Sequence, residues 1–448
     1  MDDCRPCARF EARRAVTSRD TIFALGTGAG RAAIAVIRIS GPGAGVALET
    51  LAGKLPEPRQ ASFAILRDPA TDEMLDRGVA LFFPGPASST GEDYAELQLH
   101  GGRAVVESTL AALHRLSGLR PAEPGEFARR GFANGKLDLS QAEALADLVD
   151  AQTEAQRRQA LRIAGGALRR KVEGWRGVLV DALALLEAEL DFSDEADVGG
   201  FSQARLAEML SRVAEDMRAA LQLAPASERM RDGFTVIILG QPNVGKSTLI
   251  NALTQRDLAI VSAIPGTTRD MIEAHLDIGG LPVTLIDTAG LREAADEIER
   301  IGVDRTLARV ETADLALWLS DAAEPPPPAS DVEMIRVATK IDLRPAPEDA
   351  IAVCALSGEG LETLAAAIEA RARARLGDGA AALIVRDRHR LALEQAVESI
   401  ETVIGGGGAL ELHAEELRRA SRALGRIVGA VDVEEVLDAV FSRFCIGK

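Results

Sequence analysis

The spacing of hydrophobic positions changes several times along the chain and divides it into segments. Over residues 21–137, short strand-like runs such as 33–39 and 79–83 alternate with Gly/Pro turns, a pattern typical of an α+β domain. Residues 138–230 are rich in Ala, Leu, Glu, Gln and Arg, and their apolar residues recur at helical spacing. This second segment is predicted to consist of long helices.

The spacing changes again near residue 231. An apolar run at 234–239 ends in a Gly-rich turn, and strand-like and helix-like runs alternate from there to residue 376, which indicates a parallel sheet covered by helices. Helical spacing returns over residues 377–448, with a glycine interruption at 405–408. Because segments with helical spacing flank the α/β segment on both sides, we expect a discontinuous all-α domain with an inserted α/β domain. Residues 1–20 are expected to be a disordered extension.

Composition narrows the class of protein. The chain has 448 residues with 51 Lys and Arg against 68 Asp and Glu, a net charge of −17, which excludes a polyanion binder held by bulk charge alone. No apolar run approaches the roughly 20 residues that a bilayer span needs, and the acidic start lacks the apolar core of a signal peptide. The four cysteines, Cys4, Cys7, Cys354 and Cys445, suggest no disulfide framework. A cytoplasmic protein without a membrane segment is therefore expected.

A phosphate-binding loop stands at the start of the α/β segment. Gly240-Gln241-Pro242-Asn243-Val244-Gly245-Lys246-Ser247 follows the apolar run at 234–239 and precedes a predicted helix. Backbone N–H groups of such a loop, together with the positive end of the helix, hold phosphate oxygens. Lys246 is expected to reach the β- and γ-phosphates, and Ser247 to bind Mg²⁺.

Two later motifs identify the nucleotide. Asp287-Thr288-Ala289-Gly290 follows an apolar strand, so that Asp287 faces the phosphates and the Gly290 N–H contacts the γ-phosphate. In Thr339-Lys340-Ile341-Asp342, the carboxylate can accept hydrogen bonds from the N1–H and N2–H₂ groups of guanine, which predicts GTP. Thr339 and Cys354 depart from the usual Asn and Ser. The predicted GTP contacts are Asn243, Val244, Gly245, Lys246, Ser247, Thr248, Ser262, Thr267, Thr268, Asp287, Thr288, Ala289, Gly290, Thr339, Lys340, Asp342, Cys354, Ala355 and Leu356.

The residue that orients the attacking water is not the usual one. Ras-like enzymes carry Gln directly after the Asp-Thr-Ala-Gly motif, whereas this chain has Leu291, which cannot orient water. The acid-rich stretch 293–299 is the candidate source of a carboxylate acting through a bridging water. For any one of these acids taken alone, a solvated helix face is the alternative.

Several stretches together resemble the tRNA-modification GTPase family MnmE, also called TrmE, from about residue 20 to residue 448. The most specific are Asn134-Gly135-Lys136-Leu137-Asp138-Leu139 and the terminal Phe444-Cys445-Ile446-Gly447-Lys448. Thr90-Gly91-Glu92-Asp93, Pro124-Gly125-Glu126-Phe127 and Gly266-Thr267-Thr268-Arg269-Asp270 also match. The resemblance implies a multidomain protein with a tetrahydrofolate-binding, dimerising α+β domain at 21–137, a discontinuous helical domain at 138–230 and 377–448, and an inserted P-loop, Ras-like G domain at 231–376.

The resemblance also implies an activity. Family members work with an FAD-containing MnmG-type partner as a heterotetramer and add an aminomethyl-type group, such as carboxymethylaminomethyl, to C5 of the wobble uridine of certain tRNAs. The carbon comes from a 5-formyl or methylene tetrahydrofolate, and hydrolysis is activated when the G domains of a homodimer approach each other in K⁺. The alternative is a GTP-controlled assembly or switch factor whose N-terminal domain senses a ligand.

Site residues are transferred from the family position by position. Folate contacts fall on Arg38, Glu96, Lys136 and Lys448, although composition alone makes Glu96 a solvent-facing strand residue. Two or more basic residues suit the anionic folate tail, and a carboxylate suits the donors of the pterin ring. The resemblance assigns K⁺ ligation to Asn243, Ser262, Ile264 and Thr267, and Mg²⁺ ligation to Ser247 and Thr268. It also implies catalytic roles for Lys246, Thr268 and Glu299, of which Glu299 orients the water, and a functional thiol at Cys445.

Two features keep more than one interpretation. Cys445 is either a functional thiol near the folate pocket or a buried structural one. The basic residues between 157 and 176 are either a grip for tRNA phosphates or a solvated helix paired with nearby acids.

Overall fold

The computed structural model describes residues 20–28, 30–191, 203–255, 273–287, 313–321, 332–377, 379–431, 437, 440–442, 444 and 446–447. The chain divides into two compact units, Met1–Ala146 with Gly425–Lys448, and Asp147–Leu424. Within the described ranges, no helix combines the length and the apolar character that crossing a membrane requires.

The first unit is built on a mixed sheet with the strand order β3-β4-β5-β2-β1-β6. Neighbouring strands are antiparallel except for β1 and β6, which are parallel. The strands are β1 (Thr21–Leu25), β2 (Ile34–Ser40), β3 (Ser62–Arg67), β4 (Met74–Phe83), β5 (Tyr94–His100) and β6 (Leu119–Pro121). The helices near them in sequence are α1 (Ala44–Ala52), α2 (Arg103–His114), α3 (Glu126–Ala133) and α4 (Leu139–Asp150). The predicted α+β character of this region is confirmed.

Alternation along β2 and β5 decides which side chains reach the core of this unit. Ile37 and Ile39 of β2 and Leu97 of β5 are fully buried and belong to one apolar cluster with residues of α1 and α2. Since successive strand residues point to opposite faces, Arg38 and Glu96 lie on the other face of the sheet. The strand register pairs these two residues directly.

The second unit contains the predicted long helices. These are α5 (Glu154–Ala164), α6 (Ala167–Asp191), α7 (Gln203–Asp232), α8 (Lys246–Gln255), α9 (Leu361–Leu376), α10 (Asp387–Gly405) and α11 (Leu410–Val428), the last of which extends past the boundary of the unit. α5 begins at a capping box, in which Thr153 and Gln156 satisfy each other's backbone N–H groups. The break between α10 and α11 falls at the glycine run 405–408, as predicted.

The α/β part of this unit has one sheet with the strand order β12-β11-β10-β7-β9-β8. Its strands are β7 (Phe234–Gly240), β8 (Glu273–Ile278), β9 (Leu281–Asp287), β10 (Leu315–Ser320), β11 (Met334–Thr339) and β12 (Ile351–Val353). All neighbours are parallel except β8, which is antiparallel to β9. The predicted parallel sheet is confirmed, and the carboxyl ends of β7, β9 and β11 share one edge, where open α/β sheets bind ligands.

Candidate functional site

The phosphate loop connects β7 to α8 through backbone conformations that favour glycine. Gly240 and Gly245 have φ of +143° and +102°, and Asn243 has φ of +63°. A Cβ on Gly240 would lie 2.5 Å from the Leu319 carbonyl oxygen of the neighbouring strand β10, so no larger residue fits there. Glycine at this position therefore lets the chain leave the sheet directly into the loop.

The functional side chains at the start of α8 are held in place. Lys246 is 7% exposed, and its Nζ donates to the Gly240 and Gln241 carbonyl oxygens at 2.8 and 3.0 Å. The Ser247 hydroxyl donates to Asp287 Oδ2 at 3.0 Å, and Asp287 at the end of β9 is 1% exposed. A hydroxyl and a carboxylate that converge in this way are oxygen ligands of the type that Mg²⁺ prefers, so the residues present fit this ion.

Thr339 ties the phosphate loop to the sheet. Its hydroxyl oxygen lies 2.8 Å from the Val244 carbonyl oxygen and 3.2 Å from the Ser320 carbonyl oxygen at the end of β10. The next residue, Lys340, donates from Nζ to the Asn243 carbonyl oxygen at 2.7 Å. The start of the Thr-Lys-Ile-Asp motif thus fixes the phosphate loop from the side of β11, even though Thr replaces the usual Asn.

Cys354 supports the residue predicted to recognise guanine. The thiol is 4% exposed and donates to Asp342 Oδ1 at 3.6 Å, while Asp342 itself is exposed. Ala355 is half-buried, and Leu356 is 85% exposed. The cysteine that replaces the usual serine therefore still contacts the Asp342 carboxylate, through a weaker S–H donor.

Several predicted site residues lie outside the described residues. They are Ser262, Ile264, Thr267, Thr268, Thr288, Ala289, Gly290, Glu299, Cys445 and Lys448. The described part of the α/β sheet region brings together the loop 240–247, Asp287 and the start of the segment 339–342. Thr248, next to Ser247 in α8, is exposed.

A second polar site lies on the sheet of the first unit. Arg38 Nε is 3.9 Å from Glu96 Oε1, and Arg38 Nη1 donates to the Gly447 carbonyl oxygen at 2.9 Å. Arg38 Nε is buried, and within the described ranges it has no hydrogen-bond acceptor. The Glu96 side chain is 22% exposed, so it is less open to solvent than composition alone predicted.

Tyr94 holds Glu96 in place from the same strand. Its hydroxyl is 3.1 Å from Glu96 Oε1. Burial, more than the neighbouring charges, raises the pKa of Tyr94 above its ordinary value, so the phenol stays protonated and donates to the carboxylate. Glu96 therefore keeps its second oxygen for other partners.

Lys136, the third predicted folate residue, lies in the turn after α3. The adjacent Asn134 donates from Nδ2 to the Thr90 carbonyl oxygen at 2.7 Å, and a Cβ on Gly91 would lie 3.3 Å from Lys136 Cε. Lys136 is exposed. Two of the sequence stretches that resemble the family, 90–93 and 134–139, are thus in contact with each other.

A buried ion-pair network close to these stretches was not predicted. Arg130 is 7% exposed, and its guanidinium donates to Glu92 Oε2, Glu126 Oε1 and Asp20 Oδ1 at 3.0, 2.9 and 3.0 Å. Arg120 also binds Glu126, at 2.6 and 2.8 Å. Burial would raise the pKa of Glu126, but the hydrogen bonds from Arg120, from the Glu123 N–H and from Arg130 outweigh it and lower the pKa. Glu92 and Glu126 lie in stretches that match the family, but no local pattern in the sequence indicates that both bind Arg130.

Most of the basic residues between 157 and 176 are engaged with acids. Arg157 and Arg158 both pair with Glu154 at 2.7 Å, Arg169 pairs with Glu173 at 2.7 Å, and Lys171 pairs with Asp216 at 2.6 Å. These contacts favour the interpretation of this stretch as a solvated helix surface over that of a dedicated phosphate grip.

Comparison with known proteins covers nearly the whole chain. The family model described as the MnmE helical domain matches residues 139–445, and the one described as the GTP-binding protein TrmE N-terminus matches residues 21–136. A tRNA modification GTPase MnmE of Beijerinckia indica subsp. indica is 52% identical over 434 residues, 96% of this chain and 96% of its own. Proteins of the same name from Methylobacterium radiotolerans and Methylorubrum populi are each 53% identical, over 438 and 436 residues, covering 96% of this chain and 99% and 98% of theirs.

Proposed function

Because this chain belongs to the MnmE family of tRNA modification GTPases, and is therefore a GTP-hydrolysing enzyme of tRNA modification, we propose that it couples K⁺-dependent GTP hydrolysis to modification of the wobble uridine. The group added at C5 is of the carboxymethylaminomethyl type. The observation that carries the proposal is the convergence of Lys246, the Ser247–Asp287 pair and the segment 339–342 at one edge of the sheet.

GTP is bound through its phosphates and its base. Lys246 exchanges its two loop carbonyl acceptors for phosphate oxygens, and the backbone N–H groups of the loop hold the same group. Asp342 accepts from guanine, with Cys354 and Ala355 behind the base. Ser247 and Thr268 hold Mg²⁺, which when bound neutralises charge on the phosphates. This assignment is supported by the ordered contacts between the loop, β9 and β11.

K⁺ would be held by Asn243, Ser262, Ile264 and Thr267 and would supply positive charge for the phosphates. In support, Lys340 Nζ donates to the Asn243 carbonyl oxygen, and Asn243 has a left-handed backbone conformation. Asn243 is also exposed, so its side chain is available to an ion. Glu299 orients the attacking water in place of the glutamine that Leu291 replaces. Hydrolysis is activated when the G domains of a homodimer approach each other.

The N-terminal domain binds the one-carbon donor, a 5-formyl or methylene tetrahydrofolate. Arg38, Lys136 and Lys448 supply positive charge for the anionic tail, and Glu96 accepts from the pterin ring. The buried Nε–H of Arg38, with no acceptor within the described ranges, fits a ligand that brings one. The modification itself requires tRNA and an FAD-dependent MnmG-type partner, with which the chain forms a heterotetramer in the cytoplasm.

The ion dependence of turnover tests the GTPase part of the proposal. We expect GTP hydrolysis to fall at least tenfold when K⁺ is replaced by Na⁺, with little change in GTP affinity. Asn243→Gly should reproduce this loss in K⁺, because glycine keeps the left-handed backbone while it removes the ligand. Gln241→Ala is the matched control, since Gln241 lies in the same loop and contributes its carbonyl oxygen to the Lys246 contact. Equal turnover in the two salts would remove K⁺ from the proposal.

A further inference from the structure

The C-terminal segment contacts the first sheet at two described points. Ile446 forms an antiparallel bridge with Pro124, and the Gly447 carbonyl oxygen accepts from Arg38 Nη1 at 2.9 Å. Both contacts lie inside the same compact unit. The segment is therefore held by one backbone bridge and by one arginine that belongs to the predicted folate site.

Gly447 approaches β1 more closely than any other residue type permits. Its φ is +96°, and a Cβ there would lie 2.2 Å from the Leu25 carbonyl oxygen and 2.9 Å from the Leu25 carbonyl carbon. Leu25 cannot yield easily, because it pairs with Ile37 in the sheet, and the next residue, Gly26, donates its N–H to the Val36 carbonyl oxygen at 2.7 Å. A side chain at residue 447 would push the C-terminal segment away from the strand.

A second glycine, Gly26, leaves space for the Arg38 side chain. A Cβ on Gly26 would lie 2.8 Å from Arg38 Nε. The guanidinium thus lies along the Gly26 backbone and reaches the Gly447 carbonyl oxygen. Within the described ranges, that bond is the one hydrogen bond of the Arg38 side chain.

This arrangement keeps Arg38 and Glu96 apart. Arg38 Nε and Glu96 Oε1 are separated by 3.9 Å, which is too long for a hydrogen bond. A bidentate arginine–carboxylate pair is the strong alternative geometry, and it would occupy both groups. The Gly447 carbonyl oxygen accepts from Arg38 Nη1 and so opposes the formation of a bidentate pair between Arg38 and Glu96.

We propose that Gly447 is a positioning residue, whose close approach to β1 places its carbonyl on Arg38 and keeps the Arg38–Glu96 pair open for ligand. The proposal rests on the proposed folate-binding function. It assigns to the backbone of the terminal segment the role of holding Arg38 away from Glu96, which the attraction between their charges opposes. Its consequence is that a single methyl group at residue 447 disables a site to which that residue contributes no side chain.

The first test is titration of the full-length protein with 5-formyltetrahydrofolate. We expect Gly447→Ala to weaken binding at least tenfold, because the terminal segment must shift by roughly 1 Å. Gly53→Ala is the matched control: Gly53 also has positive φ, at +77°, but a Cβ there meets no atom within 4 Å. The control should bind within about twofold of the unsubstituted protein and should keep its GTP turnover. Equal folate affinity in all three proteins would overturn the inference and leave the proposed function intact.

A second readout does not depend on folate. Carboxypeptidase B should remove Lys448 faster from Gly447→Ala than from the unsubstituted protein or Gly53→Ala, after correction with short peptides ending in Ile-Gly-Lys and Ile-Ala-Lys. Unchanged release would refute the positioning of the segment. Faster release together with unchanged folate affinity would refute its effect on Arg38. If the unsubstituted protein binds no folate, the proposed function fails, and the release rate alone decides whether Gly447 holds the segment.

Discussion

The nucleotide site and the Arg38–Glu96 site are built in different ways. The first gathers three short motifs, each at the carboxyl end of a parallel strand, and much of its contact to ligand is expected from backbone N–H groups of residues 240–247. The second joins one side chain from β2, one from β5 and a carbonyl oxygen near the end of the chain. Each motif of the first site consists of residues that are neighbours in sequence. The second site depends on the register of β2 with β5 and on a segment far away in sequence.

The difference shows what a substitution does at each site. At the nucleotide site, Thr339 and Cys354 stand in place of the usual Asn and Ser and still contact the Val244 carbonyl and the Asp342 carboxylate. At the second site the geometry depends on single contacts, that of Arg38 with the Gly447 carbonyl and that of Glu96 with Tyr94, so we expect a change at residue 447 to alter it. We therefore expect the second site to be more sensitive to substitutions that do not touch its ligand.

The largest effect is expected from the buried ion-pair network around Arg130, in the same compact unit as the second site. Glu126→Gln leaves the buried guanidinium of Arg130 with less negative charge and should cost about 3 kcal/mol of unfolding free energy. Hydrogen exchange of peptides from β1 and β2 measures this loss, and Glu123→Gln, at an exposed position, should cost less than about 0.5 kcal/mol. Equal exchange in both variants would show that the network adds little stability.

The same network predicts a pH dependence. The pKa of Glu126 is lower in the folded protein than its ordinary value, so its stabilising contribution is present above the unfolded-state pKa, near 4.5, and is lost as pH falls through the folded pKa. The unfolding free energy of the first unit should therefore drop below about pH 4.5. In Glu126→Gln that drop should be smaller, and an identical pH profile would contradict the assignment.

The next largest effect concerns catalysis at the nucleotide site. Glu299→Ala should lower single-turnover GTP hydrolysis by roughly 10²-fold with GTP affinity nearly intact, because a group that orients water acts chiefly in the transition state. Glu297→Ala is the control from the same acidic stretch. If the two variants hydrolyse GTP at the same rate, the role passes to another carboxylate of 293–299 or to none.

The third effect in size is expected for recognition of the guanine base by Asp342. Asp342→Asn replaces an acceptor by a group with donors, and we expect GTP to bind about 30-fold more weakly, since hydrogen bonds to a charged group contribute about 1.5–3 kcal/mol. Xanthosine triphosphate, which carries a carbonyl at C2, should gain affinity. Competition titration with both nucleotides measures this change in base preference, and unchanged GTP binding would show that Asp342 does not face the base.

The smallest effect is expected at Cys354. Cys354→Ser supplies a stronger donor to Asp342 Oδ1 and should tighten GTP binding by no more than about threefold. Cys354→Ala removes the donor and should weaken it by a similar factor. A loss of tenfold or more in the serine variant would show that the buried thiol matters for packing rather than for holding Asp342.

Local sequence pattern predicted the secondary structure and the position of the phosphate-loop motif between β7 and α8, while the nucleotide contacts stay a prediction. Hydrophobic spacing located the long helices, the glycine break at 405–408 and the parallel sheet, and the loop motif located Lys246 and Ser247. The Arg38–Glu96 pairing required the register of β2 with β5, which no periodicity specifies. The partners of Arg130 come from residues 20, 92 and 126, and charges so far apart in sequence carry no signal of their contact.

Nucleoside analysis of tRNA tests most directly the claim that these two sites serve one reaction. Cells that lack their own family member should regain the modified wobble uridine when they express this chain. Expression of Lys246→Ala, which disables the nucleotide site, or of Arg38→Gln, which disables the second site, should each leave the uridine unmodified at comparable protein levels. Full modification with either variant would contradict the account, and a wobble uridine unaffected by the unsubstituted chain would favour the alternative of a GTP-controlled assembly factor.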